Sequence, residues 1–229
     1  DSAYVDGVIT VFMFLAGMNF ALHYRMLRGE PLTAIEDTEF RTYAAVVIGA
    51  TALLVVATWE PTVAFIPCND GASTYSSLAT SFRYAVFQAV AIITTTGFGT
   101  ADYELWSSLG TGVLFLLFFC GGMAGSTGGG IKVVRHVLLG KTAYREIRQL
   151  VHPKAVLPIR LNEAVVDRTT IDNILSFVVL YLGLLFAGTL VVSALGLDLW
   201  RAFTAALACV GNIGPAFGAV VPTGNYAHI

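Results

Sequence analysis

The chain has 229 residues, of which 56% are hydrophobic and only 12% charged, with a mean hydropathy of +0.73. Soluble domains carry about 25% charge, and nucleic-acid binders need a basic excess that a net charge of -2 does not supply. Most soluble enzymes and nucleic-acid-binding proteins are thereby excluded, and a multi-span membrane protein is the working class.

A spanning helix needs about 20 mostly apolar residues. The first charge-free run covers 7–24. It follows Asp1 and Asp6 rather than a basic region and lacks a cleavage signature, so it reads as a span and not as a signal peptide. Runs 42–59, 105–131 and 173–197 are further spans, rich in Leu, Val, Phe and Ala. Runs 84–101 and 202–229 differ. Each starts as a short apolar segment and then dissolves into a Gly-containing polar stretch, T-T-T-G-F-G at 94–99 and G-N-I-G-P-A-F-G at 211–218. These segments are too short and broken to cross a bilayer, which predicts re-entrant helices.

Basic residues set the orientation. Loop 25–41 holds Arg25, Arg28 and Arg41, and loop 132–172 holds eight more, together eleven of the thirteen. The positive-inside rule makes both loops cytoplasmic, so each re-entrant segment enters and leaves by the outer face. Trp59, Trp106 and Trp200 fall near the expected membrane boundaries, as an aromatic belt requires. His23, His136 and His152 flank spans or lie in basic loops and read as interfacial residues rather than metal ligands. Cys68, Cys120 and Cys209 show no metal-ligand spacing, and their odd number argues against a disulfide framework.

The order span, short helix, Gly stretch, span then starts again. Setting Gly97 against Gly214 places 82–93 over 199–210, both Ala- and Val-rich with an aromatic start. Coincidence among similar apolar helices is the competing explanation for this weak identity. As a repeat, the second unit stops before any returning span, and 7–24 resembles the returning span of an earlier unit. The chain is expected to be a fragment of a longer pore.

Non-helical backbone at membrane depth survives where it lines a water-filled cavity or is buried in protein. Two such stretches entering from one face suggest a shared cavity, where carbonyl oxygens can replace the hydration shell of a monovalent cation. Gly97 and Gly214 permit the backbone angles this needs, and the C-terminal dipole ends of the preceding helices favour a cation. Asp102 and Glu104 could concentrate cations at the mouth, or be ordinary loop acids. A third Gly cluster, at 121–130, should break the span 105–131, since each Gly costs about 1 kcal/mol against Ala in a helix. A phosphate-binding loop fails there because Ile131 separates Gly130 from Lys132 and no Ser or Thr follows. Close helix packing through small residues remains open on the residues alone.

The run I-T-T-T-G-F-G-T-A-D-Y-E-L-W (93–106) resembles the filter region of the Trk/Ktr/HKT superfamily of potassium transporters. So do G-G-M-A-G-S-T-G-G-G-I-K-V-V-R (121–135), R-Q-L-V-H-P-K-A-V (148–156) and G-N-I-G-P-A-F-G (211–218), with the bacterial Trk-type membrane subunits most similar. The resemblance implies an all-α membrane protein of repeated span–re-entrant pore helix–selectivity filter–span units, K⁺-channel-like and present as a partial copy. It implies that 1–24 is the last span of a preceding unit and 25–41 a cytoplasmic loop. A third pore unit would cover 42–136, a cytoplasmic segment 137–172, and a truncated fourth unit 173–229.

By the same resemblance, Thr95, Thr96, Gly97 and Phe98 line a potassium site from one quarter, and Asn212, Ile213 and Gly214 from another. Ala216 and Phe217 depart from related filters, which often have Gly and Leu there. Gly121, Gly122, Gly125, Ser126, Thr127, Gly128, Gly129, Gly130 and Lys132 would form an intramembrane gating loop. Replacing 128–130 with Ala is then expected to raise or abolish flux while K⁺/Na⁺ preference stays fixed. The family further implies the bacterial inner membrane, a homodimer, a cytosolic nucleotide-binding regulatory ring of TrkA-like type, no cofactor beyond transported K⁺, and no enzymatic chemistry. Competing readings are the same fold passing Na⁺ or coupling K⁺ to Na⁺ or H⁺, and a re-entrant-hairpin carrier for an organic solute. The carrier would need polar side chains within the spans, which are nearly absent.

Overall fold

The computed structural model describes residues 2–30, 32–63, 73–154, 157–162 and 164–218. Cys68, residues 155–156 of the resembling motif and the tail 219–229 lie outside the described residues.

Two of the apolar runs fold as single long helices. Helix α4 covers Thr38–Thr58 with a mean hydropathy of 1.8, and α9 covers Arg168–Ala194 with 2.4; both are long and apolar enough to cross a membrane. Asp37 caps α4 by accepting a hydrogen bond from Phe40 N at 2.8 Å, and Asp167 starts α9 by accepting one from Arg168 N at 2.8 Å.

The first run does not continue straight. It forms α1 (Ala3–Ala16) and α2 (Phe20–Leu27), bent by 101°. Asn19 causes the break locally, capping α2 through a bond from Ala21 N at 2.8 Å. His23 Nε2 then reaches back to the Leu15 carbonyl at 2.8 Å and braces the corner. A short helix α3 (Leu32–Glu36) precedes α4, and α5 (Glu60–Val63) follows it.

Helix α6 (Leu78–Ile93) is longer than the short apolar run suggested and runs through the centre of the molecule. From Phe87 to Ile93 every residue is buried. It packs against α1, α4 and α7 (Ser108–Leu117). The hydroxyls of Thr58 and Ser81 meet at 2.7 Å between α4 and α6, which satisfies two buried polar groups. The next run also corrects the expectation: its helical part stops at Leu117, well before the Gly cluster, and helix resumes only in α8 (Val133–Val151). The second short helix, α10 (Leu199–Val210), packs along α9 and is capped by Asp198, which accepts from Arg201 N at 3.2 Å.

Away from the main core, Leu138 of α8 packs with Ile159, Ile171 and Ile174 in a small second cluster. A two-residue antiparallel ladder pairs β1 (Arg160–Leu161) with β2 (Ala164–Val165). Asn162 beside it is left-handed at φ 52 and clasps the start of α4. Its Oδ1 accepts from Thr38 N at 2.8 Å, and its Nδ2 donates to Asp37 Oδ2 at 3.1 Å. Apart from this ladder and isolated bridges, the described regular structure is helical, in line with the all-α expectation.

One ion pair ties α1 to α6. The Arg83 guanidinium contacts Asp6 Oδ2 at 2.7 Å, and the Asp6 side chain is only 8% exposed. Removing one partner strands a buried charge. Arg83→Ala is therefore expected to destabilise the fold by about 3 kcal/mol, read as a lowered Tm in detergent, with Asp6→Asn plus Arg83→Gln recovering part of the loss. A Tm equal to wild type for the single variant would show that the pair contributes nothing.

Candidate functional site

At the end of α6 the backbone turns back on the helix. Thr94 N donates to Val90 O at 3.0 Å, Thr95 N to Ile92 O at 2.9 Å, and Thr96 N to Ala91 O at 2.9 Å. At the end of α10, Gly211 N donates to Leu207 O at 2.8 Å, Asn212 N to Cys209 O at 3.0 Å, and Ile213 N to Ala208 O at 2.8 Å. Donors and acceptors correspond one for one at a constant offset along the chain. The torsions correspond as well. Thr95 and Asn212 both sit at φ 55, and two residues on Gly97 has φ 72 and Gly214 φ 108. A left-handed β-branched residue such as Thr95 is a steric outlier that the surroundings must enforce, and such strain collects at functional sites.

These turns spend their amide donors internally, which is what a cation site requires, because an N–H aimed into it would repel the ion. The two turns also meet. A Cβ on Gly97 would overlap the Ile213 carbonyl oxygen and lie 2.8 Å from Pro215 Cδ. Thr96 is occupied otherwise, its hydroxyl paired with that of Thr94 at 2.8 Å. Ile213 is buried at 3% exposure, whereas Phe98 is 54% exposed.

The segment 121–132 is non-helical and lies between this junction and the α1–α2 corner. Met123 N donates to Gly17 O at 2.8 Å, Thr127 N to Ala16 O at 3.3 Å, and Phe20 N to Gly125 O at 3.1 Å. On its other side, Gly129 N donates to Thr95 Oγ1 at 2.7 Å. The Lys132 ammonium donates to the Gly128 carbonyl and to Ser126 Oγ at 3.3 Å. The ends of the segment are drawn together where Gly121 N donates to Ile131 O at 2.7 Å, and Gly121 closes on Lys132 in a parallel bridge. The Gly-rich loop thus touches both the bent first run and the first of the two turns. A Cβ on Gly129 would lie 2.5 Å from Gly211 O, so it crowds the second turn too.

The family model TrkH, described as cation transport protein, matches residues 1–226. The chain belongs to the TrkH family. The Trk system potassium uptake protein TrkH of Salmonella typhimurium is 32% identical over 230 residues, covering 100% of this chain and 45% of the relative. That of Escherichia coli K12 is 33% identical over 221 residues, covering 96% of this chain and 44% of the relative. The crystal structure of the potassium transporter TrkH from Vibrio parahaemolyticus superposes with a TM-score of 0.85 at 30% identity, over 96% of this chain and 45% of that one. The chain therefore spans less than half the length of these TrkH relatives.

Within this TrkH-family chain, the expected site residues are brought together unevenly. Thr95, Gly97, Asn212, Ile213, Gly128 and Gly129 converge at one junction, and Phe98, next to Gly97, is exposed. Asp102 and Glu104 both hold backbone, one nearby and one distant in the chain. Asp102 caps a short 3-10 turn by accepting from Glu104 N at 3.1 Å, and Glu104 accepts from Gly218 N just beyond the second turn. Phe217, one of the two departures from related filters, packs against the rings of Tyr103 at 5.1 Å and Phe118 at 5.2 Å. It is buried behind the turn rather than in it.

Three residues escaped the sequence reading. Tyr103 donates its hydroxyl to Ala216 O at 3.0 Å, and Thr204 donates to Phe217 O at 2.9 Å, so both fix the second turn from outside. Glu39, buried at the start of α4, accepts from Ala124 N at 2.7 Å and Val134 N at 3.1 Å. The only signal for Glu39 was an acid shortly before the apolar run 42–59.

Proposed function

We propose that this chain supplies two quarters of a potassium-uptake pore and the loop that gates it. Potassium loses part of its hydration shell to backbone carbonyls around 95–97 and 212–214, the preceding helix ends contribute their negative dipole, and no covalent chemistry takes place. The observation that carries this reading is the pair of matching left-handed turns in direct contact, each terminating a short apolar helix. The names of the curated relatives support potassium as the ion.

In this proposal α6 and α10 are re-entrant pore helices of two repeated units, entering from the outer face. Residues 121–132 close the path below them, with Lys132 placing a positive charge in the loop. The surrounding assembly follows from family resemblance: a bacterial inner membrane, a homodimer, and a cytosolic nucleotide-binding ring acting on the basic loop 132–172.

The test is potassium uptake by the full-length protein in a strain deficient in potassium uptake, with Gly97→Asp and Gly214→Asp as controls. The unaltered protein is expected to restore growth at low potassium and both variants to fail while still reaching the membrane. Normal uptake by both variants would remove the filter assignment.

A further inference from the structure

The Gly-rich loop has few side chains with which to hold itself, so its position depends on backbone hydrogen bonds. Its two flanks converge on one atom. Glu39 Oε1 accepts from Ala124 N, inside the loop, at 2.7 Å and from Val134 N, in the first turn of α8, at 3.1 Å. Val134 N belongs to the set of helix-start donors that have no partner within their own helix, and the partial positive charge there favours an acidic side chain. Glu39 is 7% exposed, which leaves little water to take its place.

The other end of the arrangement is rigid. Glu39 sits in the first turn of α4, which Asp37 caps through Phe40 N and which Asn162 clasps through Thr38 N and Asp37 Oδ2. A fixed helix start therefore presents one oxygen both to the Gly-rich loop and to the helix that follows it. We propose that Glu39 is a positioning residue for conduction: it pins the Gly-rich loop in register beneath the two turns. This rests on the reading of that loop as the gate.

A carboxyl oxygen at this reach is what the geometry demands. Gln keeps an acceptor at the same distance, whereas Asp is one methylene shorter and cannot serve both amides, and Ala serves neither. The order of effect is thus Glu, then Gln, then Asp close to Ala. A role in charge alone would instead group Asp with Glu.

The experiment measures hydrogen exchange of the full-length protein, reconstituted in liposomes, over 121–134, alongside potassium uptake by the same preparations. Glu39→Asp and Glu39→Ala are expected to speed exchange at Ala124 and Val134 about tenfold or more, and Glu39→Gln by less than about threefold, with α9 amides unchanged. If Glu39→Ala does not fold, the ranking of Asp against Gln decides. Exchange in the Asp variant equal to wild type, or a Gln variant as open as the Asp variant, overturns the proposal. Faster exchange in the expected order with unaltered uptake leaves the pin in place and overturns the gate reading instead.

Discussion

Gly97→Ala is expected to abolish potassium uptake in the full-length protein, a loss of about a hundredfold or more, while the variant still accumulates in the membrane. Two costs combine. At φ 72 an L side chain is strained by about 1–3 kcal/mol, and the new Cβ would overlap the Ile213 carbonyl oxygen of the other turn. Relief of that overlap requires movement of backbone, since Ile213 N is bound to Ala208 O and Ile213 itself is buried. In the proposed pore, the carbonyls of both turns would then leave the positions the ion needs. Gly214→Ala offers the comparison: it shares the strained torsion at φ 108, but a Cβ there has no atom within 4 Å. Its loss should be smaller, about tenfold, from torsion strain alone. Uptake by Gly97→Ala within twofold of wild type would show that the contact between the turns does not shape the ion path.

Gly129→Ala is expected to reduce flux by at least about tenfold and also to alter the K⁺/Na⁺ preference. The resemblance alone led to the opposite expectation for 128–130, a gate that changes flux and leaves preference fixed. The present expectation differs because this part of the loop touches both turns. Gly129 N donates to Thr95 Oγ1 at 2.7 Å, and a Cβ at 129 would lie 2.5 Å from Gly211 O and 2.8 Å from Asn212 Cβ. A push there moves the second turn, which holds the ion in the proposed pore. Thr127 lies on the other side of the loop, where its N–H and hydroxyl both donate to Ala16 O, at 3.3 Å and 3.2 Å. Thr127→Ala should therefore raise flux with preference unchanged. Measuring Rb⁺ and Na⁺ uptake side by side for the two variants separates these effects. A fixed preference in Gly129→Ala would restore a gate that acts independently of the filter.

The positions where the apolar runs break were legible without coordinates. The stretches 94–99, 121–130 and 211–218 stand out because Gly and polar residues interrupt otherwise uniform hydrophobicity, and all three are non-helical in the fold. The correspondence of 97 with 214 was also available, although identity was too weak to separate it from chance. Matching hydrogen bonds at Thr94–Thr96 and Gly211–Ile213 now give it a geometric basis. The 101° corner after α1 was not anticipated, because a charge-free run reads the same whether straight or bent. Its determinants, the Asn19 cap and the packing of the loop against Gly17, are one local and one distant. The acids at 102 and 104 read equally as cation-concentrating or as ordinary loop acids, and the bond from Gly218 N to Glu104, far along the chain, was not legible.

What the sequence determined by itself was therefore periodic and local: apolar length, charge asymmetry, capping residues and the Gly clusters where a helix cannot continue. Those depend on a residue and its near neighbours, so they survive without coordinates. Tertiary structure decided which broken segments meet. The contact of Gly97 with the Ile213 carbonyl, the Thr95–Gly129 bond and the convergence of two loop flanks on Glu39 all join residues distant in sequence. No local propensity encodes such meetings, because they arise from how α1 and α4 pack on α6, how α10 packs on α9, and where the ends of α6 and α10 come to lie.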